Sequence, residues 1–353
     1  MAARSTPLFP RPLFLIAPLL LAFGCTTATQ SNAPTTAPPT TAPATVAPAT
    51  PTPPPAFPVT LTDDEGTEVI IPTEPEKIVS LTTDGTEVLF ALGAGSRVVG
   101  KVEDLANFPP EAASVPVVAT FAGIDVEEIV TLEADLVVSA GDGLTQGAAV
   151  EQLRRAHIPV LVVYPTSVEG ALDGFRLIGR AIGAADEGVA LAATVAGQLD
   201  DLAAIAATAT ERPRLFYEID VTGGIFTPPA QSIYGEMFRL AGTEPISGDS
   251  SYAISLEDLV AADPEVIVLG DTAYGVTADA VKARPGWDGM TAVKEGRIVA
   301  VDDIVITRPG PRLVQGLEAL IRAIHPDLAG ELPSPAPSSA AAGPASGWLA
   351  RAA

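Results

Sequence analysis

Residues Ile124 to Ser139 read IDVEEIVTLEADLVVS, and a loosely matching stretch, ISLEDLVAADPEVIVL, runs from Ile254 to Leu269, 130 residues later. Each copy offers a short polar residue, Asp125 or Ser255, suited to cap a helix whose first turn is acidic. The acidic pairs Glu127/Glu128 and Glu257/Asp258 coincide, and so do the apolar pairs Ile129/Leu259 and Val130/Val260. Each helix ends near an acid, Glu133 or Asp263. A β-branched apolar run follows, Leu136–Val138 or Val266–Leu269, with the character of a buried strand. The same helix–strand unit written twice predicts two similar lobes.

Between the copies, Ala184 to about Thr208 is a continuous helical pattern with no proline, too long for an ordinary α/β crossover. It reads as a rigid strut. On either side, strands alternate with helices. KIVSL precedes the helix TEVLFALGAG, which Gly93 and Gly95 close, and Val98–Lys101 is a second strand. Helices over Gly147–His157 and Val168–Ile182 flank a strand at Val160–Tyr164. Beyond the strut come strand Leu215–Ile219, helices Ile233–Ala241 and Thr277–Ala283, strand Arg297–Val301 and helix Arg312–Ile324. The alternation predicts an α/β fold of two similar lobes, each a parallel sheet flanked by helices, joined by one long backbone helix.

The ends are different in kind. Arg4 and Arg11 precede the apolar run Leu13–Phe23 and then Gly24-Cys25, too short to span a bilayer but suited to a secretory signal. Cys25 is the only cysteine, so an internal disulfide is impossible. Its place resembles a bacterial lipoprotein cleavage site, at which the cysteine becomes the acylated N-terminus. Residues 26–57 hold nine prolines and ten threonines and no charge, which makes a semi-extended tether. The expected organisation is 1–24 signal peptide, 25–57 tether, 58–183 first lobe, 184–210 linking helix, 211–330 second lobe and 331–353 disordered tail.

Net charge is −23, and the two arginines are the only charges before residue 58, so the remainder carries about −25. A nucleic-acid backbone would repel such a surface. Enzyme motifs are missing: two histidines, one cysteine, and no CxxC, HExxH, GxSxG or P-loop. His157 and His325 each fall at a helix end and read as surface residues rather than metal ligands, and two separated histidines do not make a three-histidine zinc site.

Two constellations point to ligand binding. In TRPGPR, Thr307–Arg312, two arginines bracket a loop stiffened by prolines, placed directly after the strand Arg297–Val301. Ligands of α/β lobes bind at strand ends. Pro309 keeps Arg308 out of a helix, so its guanidinium either faces a cleft or pairs with a carboxylate. The aromatics Phe121 and Tyr252 precede Glu127 and Glu257 by six and five residues, and Tyr164, Phe226 and Tyr274 also fall near strand ends. They line a shared cleft or plug the lobes.

Together KIVSL…TEVLFALGAG…VVG, FPPEA, the two repeated units, the strut, PGWDGMTAVKEGRIVAVD and RPGPRLVQGLEAL resemble the periplasmic-binding-protein family that delivers iron chelates and cobalamin to ABC importers. The resemblance covers about residues 58–328. It implies two α/β lobes on one long helix with the ligand held between them, little lobe motion, no catalysis and no intrinsic cofactor. It implies Phe121 and Tyr252 as aromatic ligand contacts, Arg308 as a polar one and Phe226 as a fourth. It implies that Glu127 and Glu257 dock on a permease dimer served by an ATPase, and that the molecule is an extracytoplasmic monomer held to the membrane through Cys25. Leu105 and Ala140 depart from the cobalamin-binding members, where aromatics stand. The heme-binding branch offers a His or Tyr iron ligand, a role open here to Tyr164, Tyr252 or Tyr274. A surface-tethered sensing module would reuse the same fold.

Overall fold

The computed structural model describes residues 57–333; the signal peptide, Cys25 and nearly all of the tether and tail lie outside them. A hairpin of β1 (Val59–Thr62) and β2 (Glu68–Ile71) leads into a six-stranded sheet. Its strands are β3 (Ile78–Ser80), β4 (Val98–Val102), β5 (Val117–Thr120), β6 (Gly123–Ile124), β7 (Leu136–Ser139) and β8 (Val160–Val162). Their spatial order is β6-β5-β4-β3-β7-β8, parallel except at the short β5–β6 edge. Helices α1 (Thr83–Ala91), α2 (Val126–Thr131), α3 (Gly147–Arg155) and α4 (Val168–Ala181) belong to this lobe. The strut is α5, Ala185–Ala206, packed on α4 and on the far lobe's last helix, α11 (Leu313–Ile324).

The second sheet, β11-β9-β13-β14, is fully parallel and combines β9 (Arg214–Glu218), β11 (Glu244–Pro245), β13 (Val266–Leu269) and β14 (Ile298–Ala300). A separate ribbon pairs β10 (Ile225–Phe226) with β12 (Ala253–Ile254). The remaining helices are α6 (Ile233–Leu240), α7 (Leu256–Ala262), α8 (Ala278–Lys282), α9 (Thr291–Glu295) and α10 (Asp303–Thr307).

Strand alternation divides the interior into three cores. One face of each sheet (Ile78, Leu136, Val138 and Leu161; Leu215, Tyr217, Val266 and Val268) points into a single central cluster. That cluster also takes α1, α4, α5, α6, α10 and α11, so it runs through both lobes without a break. The opposite faces build private cores. Val79, Val137 and Val160 pack with Ile129 of α2, and Phe216, Ile267 and Leu269 pack with Leu259 of α7 and Trp287. The two acidic helices therefore occupy equivalent outer faces. Their caps are as read from sequence: the Glu128 N–H donates to Asp125 Oδ1 at 2.9 Å, and the Asp258 N–H to Ser255 Oγ at 3.0 Å.

Two local expectations are corrected. TRPGPR does not follow its strand directly, because the five-residue helix α10 intervenes and ends on its Thr307; Asp302 caps that helix by accepting from the Ile304 N–H at 3.1 Å. His325 is not a surface residue. It is buried, one ring nitrogen lies 3.0 Å from the Ala241 carbonyl oxygen, and burial lowers its pKa.

Candidate functional site

The C-terminal ends of the strands of both sheets open onto one cleft of about 1800 Å³. The first lobe supplies the turn after β3 (Leu81–Asp84), Leu105 after β4, the β5–β6 corner around Phe121, and Leu144–Gln146 after β7. The second lobe supplies Thr272–Tyr274 after β13 and Asp303, Ile304 and Arg308 after β14. Large apolar groups stand exposed in it: Phe121 at 83%, Tyr274 at 59%, Leu144 at 52% and Leu105 at 43%. Exposing such surface costs free energy that a bound ligand recovers.

The floor loops are held by side chains that spend their hydrogen bonds on backbone. Gln146 Nε2 donates to the Leu81 carbonyl at 2.9 Å, while its Oε1 accepts from Ser139 Oγ at 2.8 Å and the Ala140 N–H at 3.0 Å. It ties the β3 and β7 loops together. Thr82 caps α1 by accepting from the Gly85 N–H at 3.0 Å, and a Cβ on Gly85 would stand 2.7 Å from that hydroxyl. Asp84 lies in this first turn. Burial raises its carboxyl to about 6 against the lowering effect of the helix N–H groups. Asp303, facing the cleft from the other lobe, is raised to about 6 by burial and by Asp302 beside it.

Behind the floor the lobes are bolted together. Arg308 forks onto Asp104, Nη2 to Oδ1 at 2.7 Å and Nη1 to Oδ2 at 3.1 Å, and reaches Glu87 at 3.5 Å. Arg312 donates Nε to Glu87 Oε2 at 3.1 Å and lies over the Phe108 ring, 3.9 Å from its centroid. Glu87, Asp104 and Arg312 are buried. Gly310 lets the loop approach, since a Cβ there would meet Glu87 at 3.1 Å. Burial pushes the Asp104 carboxyl up, but the Arg308 guanidinium and the N–H groups of Phe108 and Ala106 outweigh it and hold Asp104 below the ordinary value. The guanidinium of Arg308 thus meets both alternatives left open by the sequence: it borders the cleft and is committed to two carboxylates of the other lobe.

Of the four residues expected to contact ligand, Phe121 and Arg308 line the cleft. Tyr252 and Phe226 do not; Phe226 is half-buried in the β10–β12 ribbon, opposite Ala253 and beside Tyr252. Tyr252 holds φ +65°, and its phenol is raised by partial burial and by nearby Tyr164 of the first lobe. Tyr164 itself lines a smaller neighbouring depression of about 420 Å³. Tyr274, left open in the sequence between lining a cleft and plugging a lobe, lines the cleft; Asp84, Leu144, Gln146 and Asp303 are cleft residues the sequence analysis did not assign, although each follows a parallel strand, where the strand-end rule looks. Among the described residues no group of three His, Cys, Asp or Glu is placed to hold a metal ion. Glu127 sits on the cleft lip, and Glu257 is exposed at the head of α7.

Residues 78–305 match the sequence model of the family described as periplasmic binding protein. The chain belongs to that family. Within it, the "ABC transporter substrate-binding lipoprotein YvrC" of Bacillus subtilis is 34% identical over 277 residues, 77% of this chain and 87% of that protein. A "cobalamin-binding protein" of Halobacterium salinarum is 32% identical over 285 residues, 76% of this chain and 75% of the other. Among solved structures, the "periplasmic heme-binding protein RhuT" of Roseiflexus superposes with a TM-score of 0.63 at 27% identity, covering 72% of this chain and 99% of that one. This periplasmic binding protein is accordingly a capture module of the ABC-transporter class rather than an enzyme, with the two-lobe α/β architecture read from its sequence.

Proposed function

We propose that the protein captures a large macrocyclic metal chelate, a corrinoid foremost, in the interlobe cleft and delivers it to an ABC permease. The observation that carries this reading is the cleft itself. Its volume of about 1800 Å³ exceeds the ~300–1,000 Å³ usual for small-ligand pockets, and flat apolar groups project into it from both lobes. The name of the Halobacterium relative supports the corrinoid choice. Tyr274 favours heme as a second reading, because a phenolate can ligate heme iron and neither His157 nor His325 lines the cleft. Absorbance spectroscopy and mass spectrometry of what co-purifies distinguish the two. If neither class of macrocycle raises the melting temperature of the purified protein, the reading fails.

Delivery rests on Glu127 and Glu257, which head equivalent helices on the two outer faces and suit a two-fold-symmetric, basic partner. Anchoring through Cys25 and a monomeric state complete the proposal; the lipoprotein relative supports the anchor. Radiolabelled palmitate incorporation, lost in Cys25→Ser, tests it.

A further inference from the structure

The reading above leaves open what kind of chelate fits, and the charges around the cleft bear on that. Six charged residues line it: Asp84, Glu103, Asp125, Glu127, Asp303 and Arg308. Five are acids. The one cation is already neutralised, since Arg308 and Arg312 face Glu87 and Asp104 in a closed set of two guanidinia and two carboxylates. Among the described residues no lysine borders the cleft, and the chain as a whole carries −23. A heme-type propionate or a carboxylate-bearing siderophore would thus meet a uniformly negative field with no unpaired cation to receive it. Amide N–H groups, by contrast, would find carboxylate acceptors on both lobes. Neutral partners line the same walls, with Thr83, Thr145 and Gln152 among them.

We infer that the cleft selects a neutral or cationic chelate bearing amide or amine donors, and rejects one bearing free carboxylates. This inference rests on the macrocycle reading above. Burial raises the carboxyls of Asp84 and Asp303 to about 6, so the charge selection is fullest above that pH, where both are ionised and present acceptors rather than donors.

The test compares one macrocycle in two charge states. Binding is measured by calorimetry for cyanocobalamin against the monocarboxylate made by hydrolysing one of its peripheral amides, and for hemin against its bis-amide. At low salt the amide form of whichever macrocycle binds should be at least about tenfold tighter. Screening at about 0.5 M salt should narrow that gap. Asp84→Asn combined with Asp303→Asn should narrow it to about threefold or less, with circular dichroism establishing that the variant folds. Glu103→Gln, on an exposed side chain, should act in the same direction with smaller amplitude. If a macrocycle binds but its carboxylate form binds as tightly or tighter, the charge selection is wrong and the macrocycle reading stands. If neither macrocycle binds in either form, the reading itself falls and the inference with it.

Discussion

The two lobes carry the same acidic helix, but they prepare its carboxylates differently. At the head of α7, Ser255 Oγ donates to Asp258 Oδ2 at 2.6 Å while accepting from the Asp258 N–H at 3.0 Å, so one hydroxyl holds both the backbone and the side chain of Asp258. Asp258 is occupied, which leaves Glu257 as the available acid. At the head of α2 the cap is Asp125, which has no proton to give when ionised, and neither Glu127 nor Glu128 has an ion-pair partner among the described residues. Glu127 also borders the ligand cleft, whereas Glu257 does not. Two positions that look equivalent in the sequence repeat thus differ in chemistry. In the proposed docking, Glu257 is a surface contact alone, and Glu127 stands between cleft and partner. The lobes are equally unlike in the ion-pair set behind the cleft floor, to which the first contributes Glu87 and Asp104 and the second Arg308 and Arg312.

The junction gives the largest expected effect. Glu87→Ala strands the buried guanidinium of Arg312, whose only carboxylate partner among the described residues is Glu87, while Arg308 keeps Asp104; breaking a buried ion pair from one side costs about 3–5 kcal/mol. Denaturant unfolding should show that loss. Glu87→Gln, which keeps hydrogen-bond acceptance, should lose less.

Docking comes next. Glu257→Arg should cut whole-cell ligand uptake at least about tenfold while leaving Kd within about twofold, because repulsion at a docked charge costs on the order of a kcal/mol or more. Glu127→Arg should reduce uptake and also shift Kd, measured by calorimetry on the same preparations. Equal effects of the two substitutions on Kd would abolish the distinction between the lobes.

Cap removal is smaller. Ser255→Ala and Asp125→Ala should each lower stability by about 1 kcal/mol. The Ser255 change should in addition release the Asp258 side chain from the hydroxyl that holds it, detectable as a changed rotamer in a crystal structure of the variant.

The last effect is one of pH. Asp84 and Asp303 are raised to about 6, and Asp271, buried beside the Glu218 carboxylate, to about 7. The folded state then binds more protons than the unfolded chain between roughly pH 4 and 7, so these groups make stability fall as pH rises through that window. The melting temperature should rise as pH is lowered from 8 to 6, and Asp271→Asn should flatten the rise.

The repeat was legible because everything that defines it is local: a cap, an acidic first turn and an apolar strand within sixteen residues. So was the strut, whose buried stripe Ala192, Val195, Leu199, Leu202 and Ala206 keeps helical spacing. Arg308 was half-legible. Pro309 and Gly310 mark its loop, but its partners lie 204 and 221 residues upstream, and no local pattern announces a pairing across that distance. Tyr252 misled for a related reason. Its spacing from Glu257 imitates that of Phe121 from Glu127, yet it follows a turn into the ribbon β10–β12 and lies near Tyr164 rather than among the cleft residues, and two-residue strands have no periodicity to detect. The β13 and β14 loops that supply Tyr274 and Asp303 are short and carry no motif at all.

The central core has a consequence for communication. A molecule whose lobes share one uninterrupted apolar interior would have to expose part of it to gape, a cost that opposes large differences in outline between its loaded and empty shapes. A transporter that distinguishes cargo from vacancy must then sense texture rather than posture: whether the rim near Phe121 and Glu127 is wet and mobile, or dry and stilled by what lies beneath it.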